Sequence, residues 1–144
     1  MPPSGPGQRA QAWRYSGPVR LATPVPCVLV VDDDETIRRT VAEALELEGY
    51  AVASAANGAE ALDLVRQQRP RAIVLDLMMP VMDGWQFLEH CRADARCAGT
   101  PVLVTSAYRN LPEAAARLGV TGCITKPFDL EVLLGAVESL VRAA

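Results

Sequence analysis

Three aspartates, one serine and the chain's single lysine each stand at the end of a short apolar run. Asp32 and Asp33 follow Cys27-Val28-Leu29-Val30-Val31, and Asp76 follows Ala72-Ile73-Val74-Leu75. Ser106 follows Pro101-Val102-Leu103-Val104-Thr105, and Lys126 follows Gly122-Cys123-Ile124-Thr125. Carboxylates gathered in one cleft repel one another and need a cation; hard oxygen donors with room for water favour Mg2+. A metal so held can take one oxygen of a phosphoryl group, and an amine and a hydroxyl can take the others. The set suits phosphoryl transfer onto or off a carboxylate, where positioning and charge neutralisation are most of the catalysis. Of the 14 basic residues only Lys126 is lysine. A point charge on a flexible stem differs in use from a guanidinium fork.

These residues must be carried by strands that end at one edge. From Cys27 onward the chain alternates apolar, β-branched runs with amphipathic stretches, the pattern of a parallel sheet covered on both faces. A helix is predicted over 35–48, with Ile37, Val41, Ala44 and Leu45 on its buried face and Gly49 as its stop. Tyr50–Ser54 reads as the second strand. Asn57 with Glu60 marks the next helix entry, with Ala61, Leu62 and Val65 inward and Pro70 beyond its end. A helix of about 84–94 uses Phe87, Leu88 and Cys91. Pro112 opens a fourth helix that Gly119 stops, and Asp129 caps a last one carrying Leu130, Leu133, Leu134, Val137, Leu140 and Val141 at helical spacing. Asp34 and Glu35 read as a helix N-terminus, where acids complement the dipole, and Asp83-Gly84 as turn chemistry. His90 reads as a solvated side chain, and Trp85 and Phe87 as core or rim. Right-handed crossovers then divide the helices between the two faces of a doubly wound α/β sandwich. In such sheets, sites form outside the carboxyl ends of the strands.

The chain has 144 residues, one domain's length, and half of them are hydrophobic. The net charge is -3, and residues 1–26 carry three arginines and no acid, so the remainder is the acidic part. That balance argues against direct nucleic-acid binding. No apolar run reaches membrane-spanning length, and no secretory signal opens the chain. Residues 1–26, with six prolines and three glycines, are expected to be a flexible tail, leaving 27–142 as the domain. The four cysteines form no C-x-x-C pair, so a zinc cluster is not expected. Cys27 and Cys123 fall on strands predicted to be buried, disulfides are not expected, and a reducing cytoplasm fits best.

The motifs Val30-Val31-Asp32-Asp33-Asp34, Val74-Leu75-Asp76-Leu77-Met78-Met79-Pro80 with Met82-Asp83-Gly84, Pro101 to Ala107, and Thr125-Lys126-Pro127-Phe128 follow one another at suitable spacing. From about Cys27 to Val141 the chain resembles the receiver domain of two-component response regulators. The resemblance implies a flavodoxin-like (βα)5 fold with a five-stranded parallel sheet of order 2-1-3-4-5. It implies Asp76 as the phosphorylation site. Asp33 would bind Mg2+ directly, Asp32 largely through water, and the Met78 backbone carbonyl would be a further ligand. Lys126 would pair with a phosphoryl oxygen, Ser106 would move to hydrogen-bond the phosphoryl group, and Lys126-Pro127 would be a cis peptide. The implied donor is a sensor histidine kinase or a histidine phosphotransfer protein, and the implied reader is a downstream effector protein. The domain would catalyse only its own phosphorylation and dephosphorylation. The fourth helix, fifth strand and last helix form the candidate surface for a homodimer. Receivers often carry Tyr or Phe three residues before the lysine; here Cys123 holds that place.

Two other readings fit parts of the sequence. Asp32-x-Asp34-x-Thr36 also fits the start of a haloacid-dehalogenase-like phosphatase, but that class needs a further acidic motif after the lysine. Only acids of the final helix pattern remain there. A receiver-like docking or dimerisation module without phosphorylation would not need all five chemical positions filled. The expectation is therefore a stand-alone receiver, since the chain ends soon after the last helix. Met78 and Tyr108, two residues beyond Asp76 and Ser106, are bulky enough to slow an attacking water.

Overall fold

The apolar runs at the centre of the sheet become strands because they can be buried on both faces at once. The structure, a computed structural model, describes residues 11–14 and 26–143. In chain order the elements are β1 (Gln11–Arg14), β2 (Cys27–Val31), α1 (Glu35–Leu47), β3 (Ala51–Ala55), α2 (Gly58–Gln67) and β4 (Ala72–Asp76). They continue with α3 (Gly84–Ala93), β5 (Val102–Ser106), α4 (Leu111–Leu118), β6 (Gly122–Thr125) and α5 (Leu130–Ala143). The sheet order is β1-β3-β2-β4-β5-β6. From β3 to β6 all pairings are parallel, in the 2-1-3-4-5 order expected when strands are numbered from Cys27.

Alternate residues of each strand feed two cores. Leu29, Val31, Ile73 and Leu75 join residues of α2 and α3, including the fully buried Phe87. Val28, Val30, Val52 and Val74 join Val41 and Leu45 of α1 and Leu133 and Val137 of α5. Each fully buried Val or Leu contributes about 1.5–3 kcal/mol. Short polar residues set where the helices begin. Asp34 Oδ1 accepts the Ile37 N–H at 3.0 Å, Asn57 Oδ1 accepts that of Glu60 at 3.0 Å, and Asp83 with Gln86 closes a capping box. Asp129 Oδ1 accepts the Glu131 N–H at 2.9 Å at the start of α5. Gly119, at φ 66°, ends α4 in the left-handed conformation. Asp83-Gly84 is thus helix-entry chemistry.

Four expectations are corrected. The sheet has six strands, because Gln11–Arg14, read as part of a flexible tail, forms β1 antiparallel to β3. The cause is the open edge of β3, and Trp13 packs against the α2–α3 core. The rest of residues 1–25 lies outside the described residues. Second, the buried face of α1 is Arg38, Val41, Ala42 and Leu45, with Ile37 only half-buried. Third, Cys123 is half-buried, because β6 is an edge strand with a neighbour on one side only.

Fourth, Cys91 and Cys97 form a disulfide. Helix α3 ends at Ala93, and the Asp94 carbonyl accepts the N–H groups of Cys97 and Ala98, both at 2.9 Å. That turn brings Cys97 back to a Cα–Cα distance of 5.0 Å from Cys91. Closing so short a loop contributes about 2 kcal/mol in the chain-entropy picture. Cys27 and Cys123 are free thiols. Alkylation of the unfolded chain without reductant should therefore add two labels by intact mass, and four after reduction. Four labels without reductant would disprove the pairing.

Candidate phosphoryl-transfer and metal site

Strand register delivers the acids to one edge. Val31 lies beside Leu75, so the next residues, Asp32 and Asp76, leave adjacent strands together. Carboxylate oxygens of Asp32, Asp33 and Asp76 all lie within 4.8 Å of one another. Asp32 and Asp76 are 2 % and 3 % exposed, while Asp33 is exposed. From the far side of β5, Lys126 Nζ donates to Asp32 Oδ2 at 2.6 Å and to Asp76 Oδ2 at 3.2 Å. The Lys126-Pro127 peptide is cis. The main chain supplies further bonds: the Asp34 N–H donates to Asp32 Oδ1 at 2.9 Å, and the Met78 N–H to Asp76 Oδ1 at 3.2 Å.

Burial pushes the Asp32 carboxyl above its ordinary value of 3.8, and the nearby Asp76 charge adds to this. The Lys126 bond and the Asp34 N–H offset it only in part. For Lys126, burial pulls downward, but the hydrogen bond and charge of Asp32, then the Asp76 charge, carry it above 10.5. The result is a firmly held ammonium facing more carboxylate charge than it can neutralise. An all-oxygen donor set with one open, exposed member suits a hard divalent cation that keeps part of its water.

Ser106 ends β5 fully buried, and its Oγ accepts the Tyr108 N–H at 3.2 Å. The Ser106 carbonyl accepts the Lys126 N–H at 2.9 Å, tying the two strand ends together. Tyr108 also meets Trp85 of α3 edge-on, ring centroids 5.4 Å apart. Met78 stands 56 % exposed at the rim. All six residues singled out from the sequence, Asp32, Asp33, Asp76, Met78, Ser106 and Lys126, thus lie at the carboxyl ends of the strands.

The loop after Asp76 is held by its own backbone. The Met82 N–H donates to the Pro80 carbonyl at 2.8 Å across Val81, and the Gly58 N–H donates to the Met82 carbonyl at 2.9 Å. Val81 is the centre of this γ-turn, with φ 68°, an unfavourable conformation for a β-branched residue. It is 82 % exposed, so it has little packing to lose. Val81→Asn, which tolerates positive φ, should stabilise by about 1 kcal/mol, read as a rise of about 3 °C in Tm. A lower Tm would show that the valine side chain is needed there.

One residue that the motifs did not flag is Arg38. It is 8 % exposed, and its Nη1 donates to the Asp32 carbonyl at 2.8 Å. Its signal was present: Arg38, Val41, Ala42 and Leu45 have the i, i+3, i+4, i+7 spacing of a core stripe, with a charge in an apolar place.

Comparison with known proteins agrees with this geometry. The profile of the response regulator receiver domain matches residues 28–138, and the chain belongs to that family. It is 44% identical over 119 residues to the response regulator MprA of Mycobacterium sp. (strain KMS), and 43% identical over the same length to that of Mycobacterium avium (strain 104). Each alignment takes in 80% of this chain and 50% of the relative, so the chain spans about half the length of these curated relatives. The chemotaxis response regulator CheY4 of Vibrio cholerae superposes with TM-score 0.75 at 34% identity, covering 81% of this chain and 99% of that one. The receiver domain of the Francisella response regulator 1452 does so with TM-score 0.75 at 32% identity, over 82% and 98%.

The chain is therefore a receiver domain of two-component signalling, with the flavodoxin-like fold. Receivers as a family take input from histidine kinases, pass output to effectors and are generally not enzymes in the usual sense. Among the described residues, no helix is long and apolar enough to cross a membrane.

Proposed function

We propose that the chain accepts a phosphoryl group on Asp76, from a histidine kinase or a histidine phosphotransfer protein, and so switches its contacts with an effector protein. The observation that carries this reading is the imbalance at the strand ends: three carboxylates within 4.8 Å and one ammonium bridging two of them. A carboxylate oxygen of Asp76 attacks phosphorus, the P–N bond to the donor imidazole breaks, and its electron pair returns to the ring nitrogen. Asp32, Asp33, Asp76 and the Met78 carbonyl would hold Mg2+, which when bound supplies positive charge to the acids and to the transferring oxygens.

The chain's own groups do the rest. Lys126 exchanges one carboxylate partner for a phosphoryl oxygen. The Ser106 hydroxyl now accepts from the Tyr108 N–H, which leaves its own proton free to be donated. It can therefore turn toward a second phosphoryl oxygen. Met78 and Tyr108 restrict the approach of water and lengthen the life of the acyl phosphate.

Incubation with acetyl phosphate and Mg2+ should add one phosphoryl group to the wild type by intact mass, and none to a folded Asp76→Asn variant. A wild type that stays unmodified would favour a docking or dimerisation module and overturn the proposal. A partner pull-down comparing phosphorylated wild type with Asp76→Asn tests the output.

A further inference from the structure

Every polar group of Asp32 has a partner. Its N–H donates to the Ala55 carbonyl at 3.1 Å, and its Oδ1 and Oδ2 accept from the Asp34 N–H and Lys126. Its carbonyl accepts from Arg38. Three of these bonds come from the sheet, the turn or the site lysine. The fourth comes from a guanidinium on the buried face of α1, where a charge has to be justified.

Burying a cation costs several times what one hydrogen bond to a carbonyl returns, unless opposite charge compensates it. Among the described residues Arg38 forms no ion pair. It lines a cleft of about 290 Å³ that also holds Glu35, Glu43 and Glu46. Glu35 is already paired with Arg39 at 2.9 Å, and Glu43 is exposed. Half-buried Glu46 is not paired with it either, and the guanidinium donates instead to the Asp32 carbonyl at 2.8 Å.

We propose that Arg38 is a positioning residue of the site: it fixes the Asp32 main chain, and through it the carboxylate. This rests on the reading of Asp76 as phosphate acceptor and of the acids as a Mg2+ site. Without Arg38, the peptide bearing Asp32 loses the side-chain donor that holds it.

The test is Mg2+ affinity of the full chain, titrated with the metal alone by calorimetry, with thermal unfolding in EDTA as the folding control. Arg38→Met should bind Mg2+ about tenfold more weakly, the loss typical when a residue orienting a metal ligand is removed. Its Tm in EDTA should stay close to that of the wild type. Arg38→Lys should recover part of the affinity. Arg39→Met, which removes an exposed charge on the same helix, should change nothing. Wild-type affinity in a folded Arg38→Met protein would overturn the inference and leave Arg38 a tie between α1 and β2. If Arg38→Met does not fold, Arg38→Gln, whose shorter side chain stops before the Asp32 carbonyl, carries the test. Weaker binding by that variant supports the role, and unchanged binding refutes it. A wild type that binds no Mg2+ would sink the site reading itself, whereas full affinity in the variant sinks only this inference.

Discussion

Lys126→Met should lose about a hundredfold in phosphorylation rate with acetyl phosphate, the loss expected when one preorganised charge is removed from a developing anion. The same variant should lose stability even before any phosphate is added. Lys126 bridges two nearly buried carboxylates, with side-chain exposures of 3% and 5%. Removing one partner of such a pair leaves uncompensated charge and costs about 3–5 kcal/mol. Added Mg2+ should recover part of that loss, because it neutralises the same acids. The pH dependence has a definite sign. Lys126 titrates higher in the folded state than its ordinary 10.5. Its contribution is therefore complete below that value and disappears as pH rises through the folded value. The stability gap between wild type and Lys126→Met, measured by urea unfolding in EDTA, should narrow on that alkaline side. Asp32 has the same sign at the acidic end of the scale. Its folded value lies above 3.8, so the folded state holds more protons over that interval, and metal-free stability falls as pH rises through it. A variant as stable as wild type in EDTA would show that Lys126 contributes no net stability.

Gly84→Ala should cost about 3 kcal/mol, the upper part of the range for overpacking, a fall of about 10 °C in Tm. A Cβ at Gly84 would lie 2.6 Å from the Asp76 carbonyl oxygen and 2.7 Å from the Leu77 Cα. Both are backbone atoms that cannot swing aside, and the Gly84 N–H is bonded to the Leu77 carbonyl at 2.9 Å. Relief requires moving either the start of α3 or the end of β4, which carries Asp76. Phosphorylation by acetyl phosphate should therefore drop together with stability. Unchanged melting in Gly84→Ala would mean that the two segments are looser than this packing implies. Gly58 makes a useful contrast: there the nearest atoms include the flexible Met82 side chain, at 2.8 and 2.9 Å, so part of the clash can be absorbed.

The strand ends were legible in the sequence because chemistry changes abruptly there. An apolar β-branched run that stops at Asp, Ser or Lys has one economical arrangement, the polar residue outside the sheet edge. The helix entries were legible for a related reason, since Asp34, Asn57, Asp83 and Asp129 can satisfy N–H groups that the helix cannot. What escaped depended on partners distant in sequence or on a break in pattern. Gln11–Arg14 has no alternation and sits among prolines; its strand exists because the β3 edge accepts it. The Cys91–Cys97 bond depends on where α3 ends and on the turn at Asp94. Arg38 was visible only as a charge in a core stripe, and its role required knowing which carbonyl it faces.

The six-stranded sheet has two unlike margins. At one, β1 shifts register between Gln11 and Arg14. Irregular margins are poor templates for another strand. At the other, β6 runs in regular parallel register beside β5. Polymerisation through backbone pairing needs two competent margins per molecule, one to give and one to receive. A molecule with a single competent margin can join one neighbour and then stops. The irregular β1 margin thus acts as a chain terminator, limiting any association of this kind to pairs rather than fibres.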